Sequence, residues 1–276
     1  MLLFTLEMLM PIFGRSLACL LSVTGLCSLY ETAAFADGSE FKVGVEVLRD
    51  KYREPIAADT LVDEHADYGS VTGSYTYNIE STFVSFEGRA SYGSDNYKSP
   101  SGLINDIPQY EGEGRLLGGL RVPFDDGSVV IGYIGLGSRY FFDKNKGNVT
   151  STGLLGYDRR ILQFYIPIGG TMHIKQDDWI YSPNLEFDFL GYGIVKSRLG
   201  DLPGLFNIEN TQRKGFGWRG EFMVGQQYTD FGWEAGPFFR YWNVRESDIV
   251  TDPAGNQWQE PHNTRLQAGA GLRVNF

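Results

Sequence analysis

From residue 40 to the C-terminal Phe276, apolar and polar side chains alternate with a period of two in one segment after another. That period puts successive side chains on opposite faces of a strand. Ten segments read as strands: 40–49, 68–78, 82–93, 109–122, 128–142, 156–175, 179–196, 214–227, 230–244 and 263–276. Their polar faces carry full charges. In the third segment Val84, Phe86, Gly88, Ala90 and Tyr92 alternate with Ser85, Glu87, Arg89 and Ser91. In the eighth, Phe216, Trp218, Gly220, Phe222 and Val224 share one face, with Arg219 and Glu221 on the other; the ninth sets Trp233, Ala235, Pro237, Phe239 and Tyr241 against Glu234 and Arg240. No segment after residue 36 approaches the ~20 consecutive apolar residues a spanning helix needs. If the chain crosses a membrane it does so with strands, and only a closed barrel satisfies every backbone group there.

The connections separate a barrel from a soluble sandwich. Those after the second, fourth, sixth and eighth segments are short: Ile79-Glu80-Ser81, Pro123 to Gly127, Gln176-Asp177-Asp178 and the Tyr228-Thr229 region. The others, 50–67, 94–108, 143–155, 197–213 and 245–262, read as long loops. Short turns at one end and long loops at the other characterise a transmembrane barrel of antiparallel, up-and-down strands. We expect ten strands, with eight or twelve as alternatives because the fifth and sixth segments have the least defined ends. Lipid accepts a midplane Arg or Lys only at a cost of ~2–4 kcal/mol, so the charged faces belong to the lumen. Trp179 and Tyr181 near one end, and Tyr140 and Phe142 near the other, suit interfacial aromatic girdles.

The two ends of the chain carry signals of their own. Arg15, the apolar run from Leu17 to Leu29 and the small-x-small triplet Ala34-Phe35-Ala36 are the parts of an export signal. We therefore expect residues 1–36 to be a cleaved signal peptide and 37–276 a single barrel domain. Cys19 and Cys27, the two cysteines, both fall in the first part. The remainder then has no disulfide, thiol nucleophile or cysteine-bound zinc. At the other end Leu266, Ala268, Ala270, Leu272, Val274 and Phe276 form an apolar stripe closed by a terminal aromatic. Such an ending resembles the C-terminal strand of outer-membrane barrels, which their assembly machinery reads, and on that resemblance Phe276 is the expected assembly signal. The chain holds 34 acidic against 24 basic residues, a poor balance for binding nucleic acid.

Short motifs carry a family likeness: Tyr52-Arg53-Glu54-Pro55, Glu87-Gly88-Arg89, Gly135-Leu136-Gly137-Ser138-Arg139-Tyr140 and Arg240-Tyr241-Trp242. On these the chain resembles small Gram-negative outer-membrane β-barrel proteins of the opacity and OmpA-barrel type. More narrowly it resembles a poorly characterised group of outer-membrane proteins. The resemblance implies an outer-membrane location after export, with outer-membrane lipid, lipopolysaccharide and the assembly machinery as partners. It brings no catalytic residue and no cofactor. Ten strands also raise the omptin proteases, but no stretch matches their Asp pair and Asp–His pair residue by residue. Lipid A deacylases need a His and a Ser on late strands, and segments eight to ten hold no spanning His.

Three constellations remain as candidate sites. The inward positions gather Lys42, Glu46, Glu87, Arg89, Glu111, Glu113, Arg115, Arg121, Arg139, Lys175, Glu186, Asp188, Arg219, Glu221, Glu234, Arg240 and Arg273, close to charge balance. In a narrow barrel such a set most simply forms a salt-bridge plug, and otherwise lines a narrow path for ions or small solutes. Glu87 is expected with Arg89, and Glu111 with Arg115. His173 lies inward near the short-turn end, and a lone lumenal His usually fills space. His65, with Asp63, Glu64 and Asp67, and His262, with Glu260, lie in the first and last long loops and could support a hydrolase or hold a metal. These two loops are also acidic. If divalent cations or a basic partner bind, the oxygen ligands are Asp63, Glu64, Asp67, Asp248 and Asp252. The expected protein is a non-enzymatic barrel with a charge-paired lumen that supports the envelope and presents surface loops; a narrow channel and a loop Asp/His hydrolase are the alternatives.

Overall fold

A computed structural model describes residues 38–56 and 60–276 of the chain. The expected signal peptide lies outside the described residues. Ten long strands close on themselves: β1 Ser39–Ile56, β2 Thr60–Ile79, β3 Thr82–Ser99, β4 Gly102–Pro123, β5 Val129–Asp143, β6 Arg159–Gln176, β7 Trp179–Ser197, β9 Gly215–Gln227, β10 Gly232–Val244 and β13 Asn263–Asn275. Three short strands, β8 Ile208–Gln212, β11 Val250–Thr251 and β12 Gln257–Trp258, lie above this ring. Every neighbouring pair is antiparallel, and β13 closes the barrel by pairing with both β1 and β10.

The expected ten strands are present, but the first two long connections are not loops. β1 and β2 continue as a hairpin out to the Ile56↔Thr60 pair, and β3 and β4 pair out to Ser99↔Gly102. Asp50, Glu54, Asp63, Glu64 and Asp67 therefore stand on strands. The alternation continues through the extension, but its outward phase changes chemistry. On β1, Phe41, Val43, Val45 and Val47 give way to Arg49, Lys51 and Arg53. The apolar stripe ends where the lipid-facing part ends, and the strand does not.

The outward face is an apolar belt of exposed side chains such as Phe86, Leu136 and Leu185. On β3 it runs from Val84 to Tyr92. That is about 27 Å along the strand and about 21 Å along the barrel normal at a tilt of about 40°, close to the ~25 Å apolar band of such barrels. Aromatic rings gather at its two ends. Trp179 meets Trp233 edge to face at 6.0 Å near the short turns, while Tyr110 contacts Tyr92 at 5.2 Å and Phe142 at 6.0 Å near the other end.

Candidate functional site in a charged lumen

The strand register builds the lumen from the residues upward. Glu87 on β3 stands directly opposite Arg115 on β4, and Arg89 opposite Glu113. Directly opposed side chains are closer than those two positions apart on one strand. Arg115 Nε accordingly lies 3.5 Å from Glu87, while Arg89 Nη2 lies 2.5 Å from Glu111 and 3.4 Å from Glu113. The partners thus differ from the expected Glu87–Arg89 and Glu111–Arg115 pairs: the register exchanges them.

Arg219 on β9 is the hub of this layer. Its guanidinium donates to both oxygens of Glu113 and, at 2.8 Å, to Asp188 on β7, with Glu186 at 3.0 Å. It also donates to Tyr165 Oη at 2.8 Å, and Tyr165 donates to Glu113. Arg115 reaches across the barrel to Glu186. The side chains of Arg219, Glu113, Glu186 and Asp188 are 9%, 4%, 1% and 0% exposed, so these pairs are buried from the bulk solvent. Tyr165 occupies its place because residue 137 is glycine; a Cβ there would fall 2.2 Å from the tyrosine ring.

A second layer lies toward the long hairpins. Arg265 donates to Asp50 at 2.8 Å and to Tyr68 at 3.0 Å, and its guanidinium stacks on Phe141 at 3.9 Å. Arg139 donates to Gln163 at 2.6 Å and stacks on Trp242 at 3.9 Å. Gln267 donates to Glu111 at 2.8 Å, which joins the two layers. Above them Arg159 ties Glu54 (3.2 Å) to Glu260 (2.5 Å) of the last loop.

On the short-turn side Arg240 donates to Glu46 at 2.7 Å, and Arg273 donates to Glu221 at 2.6 Å and to Glu234 at 3.4 Å. Between these groups and the central layer is a chamber of about 250 Å³ lined by hydroxyl and charged side chains, among them Thr72, Ser74, Arg121, His173 and Ser182. His173 Nδ1 lies 2.8 Å from Ser182 Oγ. Among the described residues no acid is bonded to the other ring nitrogen of His173, and the pair carries no further catalytic element.

The remaining sequence candidates separate in space. Asp67 and Asp63 face outward, paired with Arg49 (3.0 Å) and with Arg53 (3.6 Å) and His65 (3.2 Å); Glu64 occupies the inward phase of β2. His65 stands on β2 and not in a loop, and His262 Nε2 lies 3.1 Å from Asn243 Oδ1, so the two histidines have different partners. Asp248 accepts from the Thr211 amide at 2.6 Å. Asp252 accepts from Ala254 N, Asn256 N and Nδ2, and Trp258 Nε1 at 2.9–3.0 Å, and these donors push its carboxyl down to about 2. No three His, Cys, Asp or Glu side chains among the described residues gather in a metal-holding group.

Sequence reading missed Asp50, Glu54, Arg159, Glu260 and Arg265 as lumen groups. The signal for the first two was present, because Leu48, Asp50, Tyr52 and Glu54 keep the inward phase of Glu46. Arg159 likewise keeps the inward phase of His173 and Lys175, and Arg265 that of Arg273; Glu260 had no signal, since a loop residue meets the lumen only in three dimensions.

No family model matches the chain, and no curated protein matches it. Among solved structures it is similar to the outer membrane protease OmpT from Escherichia coli, with a TM-score of 0.53 at 12% identity over 89% of this chain and 99% of that one. It also aligns with the translocator domain of the autotransporter NalP from Neisseria meningitidis, with a TM-score of 0.41 at 12% identity, over 93% of this chain and 96% of that one. The Pseudomonas putida toluene transporter TodX aligns with a TM-score of 0.34 at 8% identity, over 87% of this chain and 90% of that one. A closed ring of ten antiparallel strands with an apolar outer belt, superposing on a membrane protease over nearly its whole length, is the fold of the outer-membrane β-barrels.

Proposed function

We propose that this chain resides in the bacterial outer membrane as a barrel with a closed lumen. In this reading it supports the envelope and holds its long hairpins above the surface, and it has no enzymatic role. The observation that carries this is the central layer. Arg89, Arg115 and Arg219, from β3, β4 and β9, are paired with Glu111 and Glu113 of β4 and with Glu186 and Asp188 of β7. A permeant ion would have to break buried ion pairs whose partners then stand uncompensated, at several kcal/mol each. Arg139, Trp242, Arg265 and Phe141 lie on the hairpin side of that layer. The chamber near the short turns ends against it.

Planar-bilayer recording of the purified protein tests the reading. The wild type should give no stable conductance, and Arg89→Ala with Arg115→Ala should open a reproducible one. A strong wild-type conductance that the double substitution leaves unchanged would instead make the barrel a channel and refute closure by these pairs.

A further inference from the structure

On the outer wall near the long-hairpin end, Arg160 of β6 stands directly opposite Lys196 of β7, both facing outward. Like charges directly opposed across a ladder destabilise it unless an anion lies between them. Lys196 has Glu209 of β8 at 2.9 Å. Arg160 has no acidic partner among the described residues, and its guanidinium rests 4.9 Å from the Phe142 ring. The two cations, with Arg198, line a surface groove of about 390 Å³ whose only acid is Glu209. Arg198 shares Asp201 with Lys146, at 3.6 and 2.9 Å. On β1 the outward arginines have acids of their own, Arg49 in Asp67 and Arg53 in Asp63.

What lies below each cation narrows the ligand. Leu162 and Phe164 follow Arg160 on the outward phase of β6, and Ile194 and Tyr192 follow Lys196 on β7. Each cation is therefore the first charged residue beyond the apolar belt on its own strand. Arg213 stacks on Tyr192 at 5.2 Å and adds a further cation at the same border. A guanidinium grips two phosphate oxygens at once, and a neighbouring ammonium adds a point charge.

We infer that this groove binds the phosphate of a phosphorylated glycolipid of the outer leaflet, lipopolysaccharide in chemical class, with its acyl chains along Leu162, Phe164, Ile194 and Tyr192. The headgroup phosphate lies between Arg160 and Lys196 and relieves their repulsion. A free anion would use the cations but leave the apolar rows beneath them unoccupied. This inference rests on the outer-membrane reading above.

Native mass spectrometry of the full chain, folded in a neutral detergent, tests it. The probes are diphosphorylated lipid A, the same lipid after enzymatic removal of its phosphates, and inorganic phosphate as a competitor. Wild type should retain one diphosphorylated lipid. Arg160→Gln with Lys196→Gln should lower its apparent affinity about tenfold or more, as expected for losing two charge-assisted contacts. Arg49→Gln, on another part of the wall, should leave retention unchanged. Heat-modifiable gel mobility verifies that each variant is folded. Equal retention by wild type and the double variant, or equal retention of the dephosphorylated lipid, overturns the inference. Full displacement by millimolar inorganic phosphate would make this a free-anion site and overturns it as well. Fractionation of cells addresses the membrane reading separately: a chain found outside the outer membrane refutes that reading, whereas lipid failing to bind a correctly located barrel refutes only the groove.

Discussion

Removing Arg219 tests the lumen at its most connected point. Arg219→Met keeps a long apolar stem and deletes five donors. Glu113 retains Arg89 at 3.4 Å and Glu186 retains Arg115, so two of the three carboxylates keep a cation. Asp188 keeps none: Arg219 is the single cation paired with it among the described residues, and its side chain is fully buried. Its other oxygen already lacks a hydrogen-bond partner. Removing one member of a buried pair costs about 3–5 kcal/mol. Because only one carboxylate is stranded outright, the lower end of that range, about 3 kcal/mol, is expected. Equilibrium urea unfolding in lipid vesicles, followed by tryptophan fluorescence, measures it. Asp188→Leu in the same background should return about 2 kcal/mol as a coupling energy, since the uncompensated charge is then gone. A loss below about 1 kcal/mol for the single variant, or additivity in the double, would mean that water in the lumen already screens these groups and that the plug argument is wrong.

Three further outcomes follow from named contacts. Gly137→Ala should displace Tyr165 from Glu113 and Arg219 and cost about 1–3 kcal/mol, as overpacking does, read in the same unfolding assay; an unchanged midpoint would show that the ring can move freely. Asp252 has a lowered folded pKa, so the order it gives the β11–β12 hairpin is present above the usual carboxylate pKa and lost as pH falls through about 2. Pepsin should spare that hairpin near pH 4 and cut it near pH 2, while Asp252→Ala is cut at both; identical cutting of wild type at the two pH values would contradict this. Phe276 faces outward, 43% exposed, and exchanges two backbone hydrogen bonds with Phe41. Deleting it should reduce folded yield in cells far more than refolding in detergent, and equal losses would reduce the residue to ordinary strand pairing.

Much of the architecture was legible because lipid imposes a one-dimensional rule. An outward position in the belt must be apolar, so ten alternating stretches with charges on the opposite phase give strand number, inside and outside, and which end carries the short turns. The same rule explains the errors at 50–67 and 94–108. Above the belt the outward phase is free to be charged, as at Arg49, Lys51 and Arg53, so the contrast between an apolar and a polar face is lost although the alternation of faces and the ladder continue.

What the amino-acid order determined by itself is therefore the alternation, the faces and which charges of the strands enter the lumen, because these depend only on the two-residue repeat within each strand. Which charge meets which was decided by the tertiary structure. The register places Arg115 against Glu87 instead of Glu111. Closure brings Arg265 to Asp50 across 215 positions, and curvature lets Arg219 reach Glu113 from the far side of the ring. Partners across a barrel are set by register, tilt and closure together. These properties belong to the whole ring of hydrogen bonds, and no single strand encodes them.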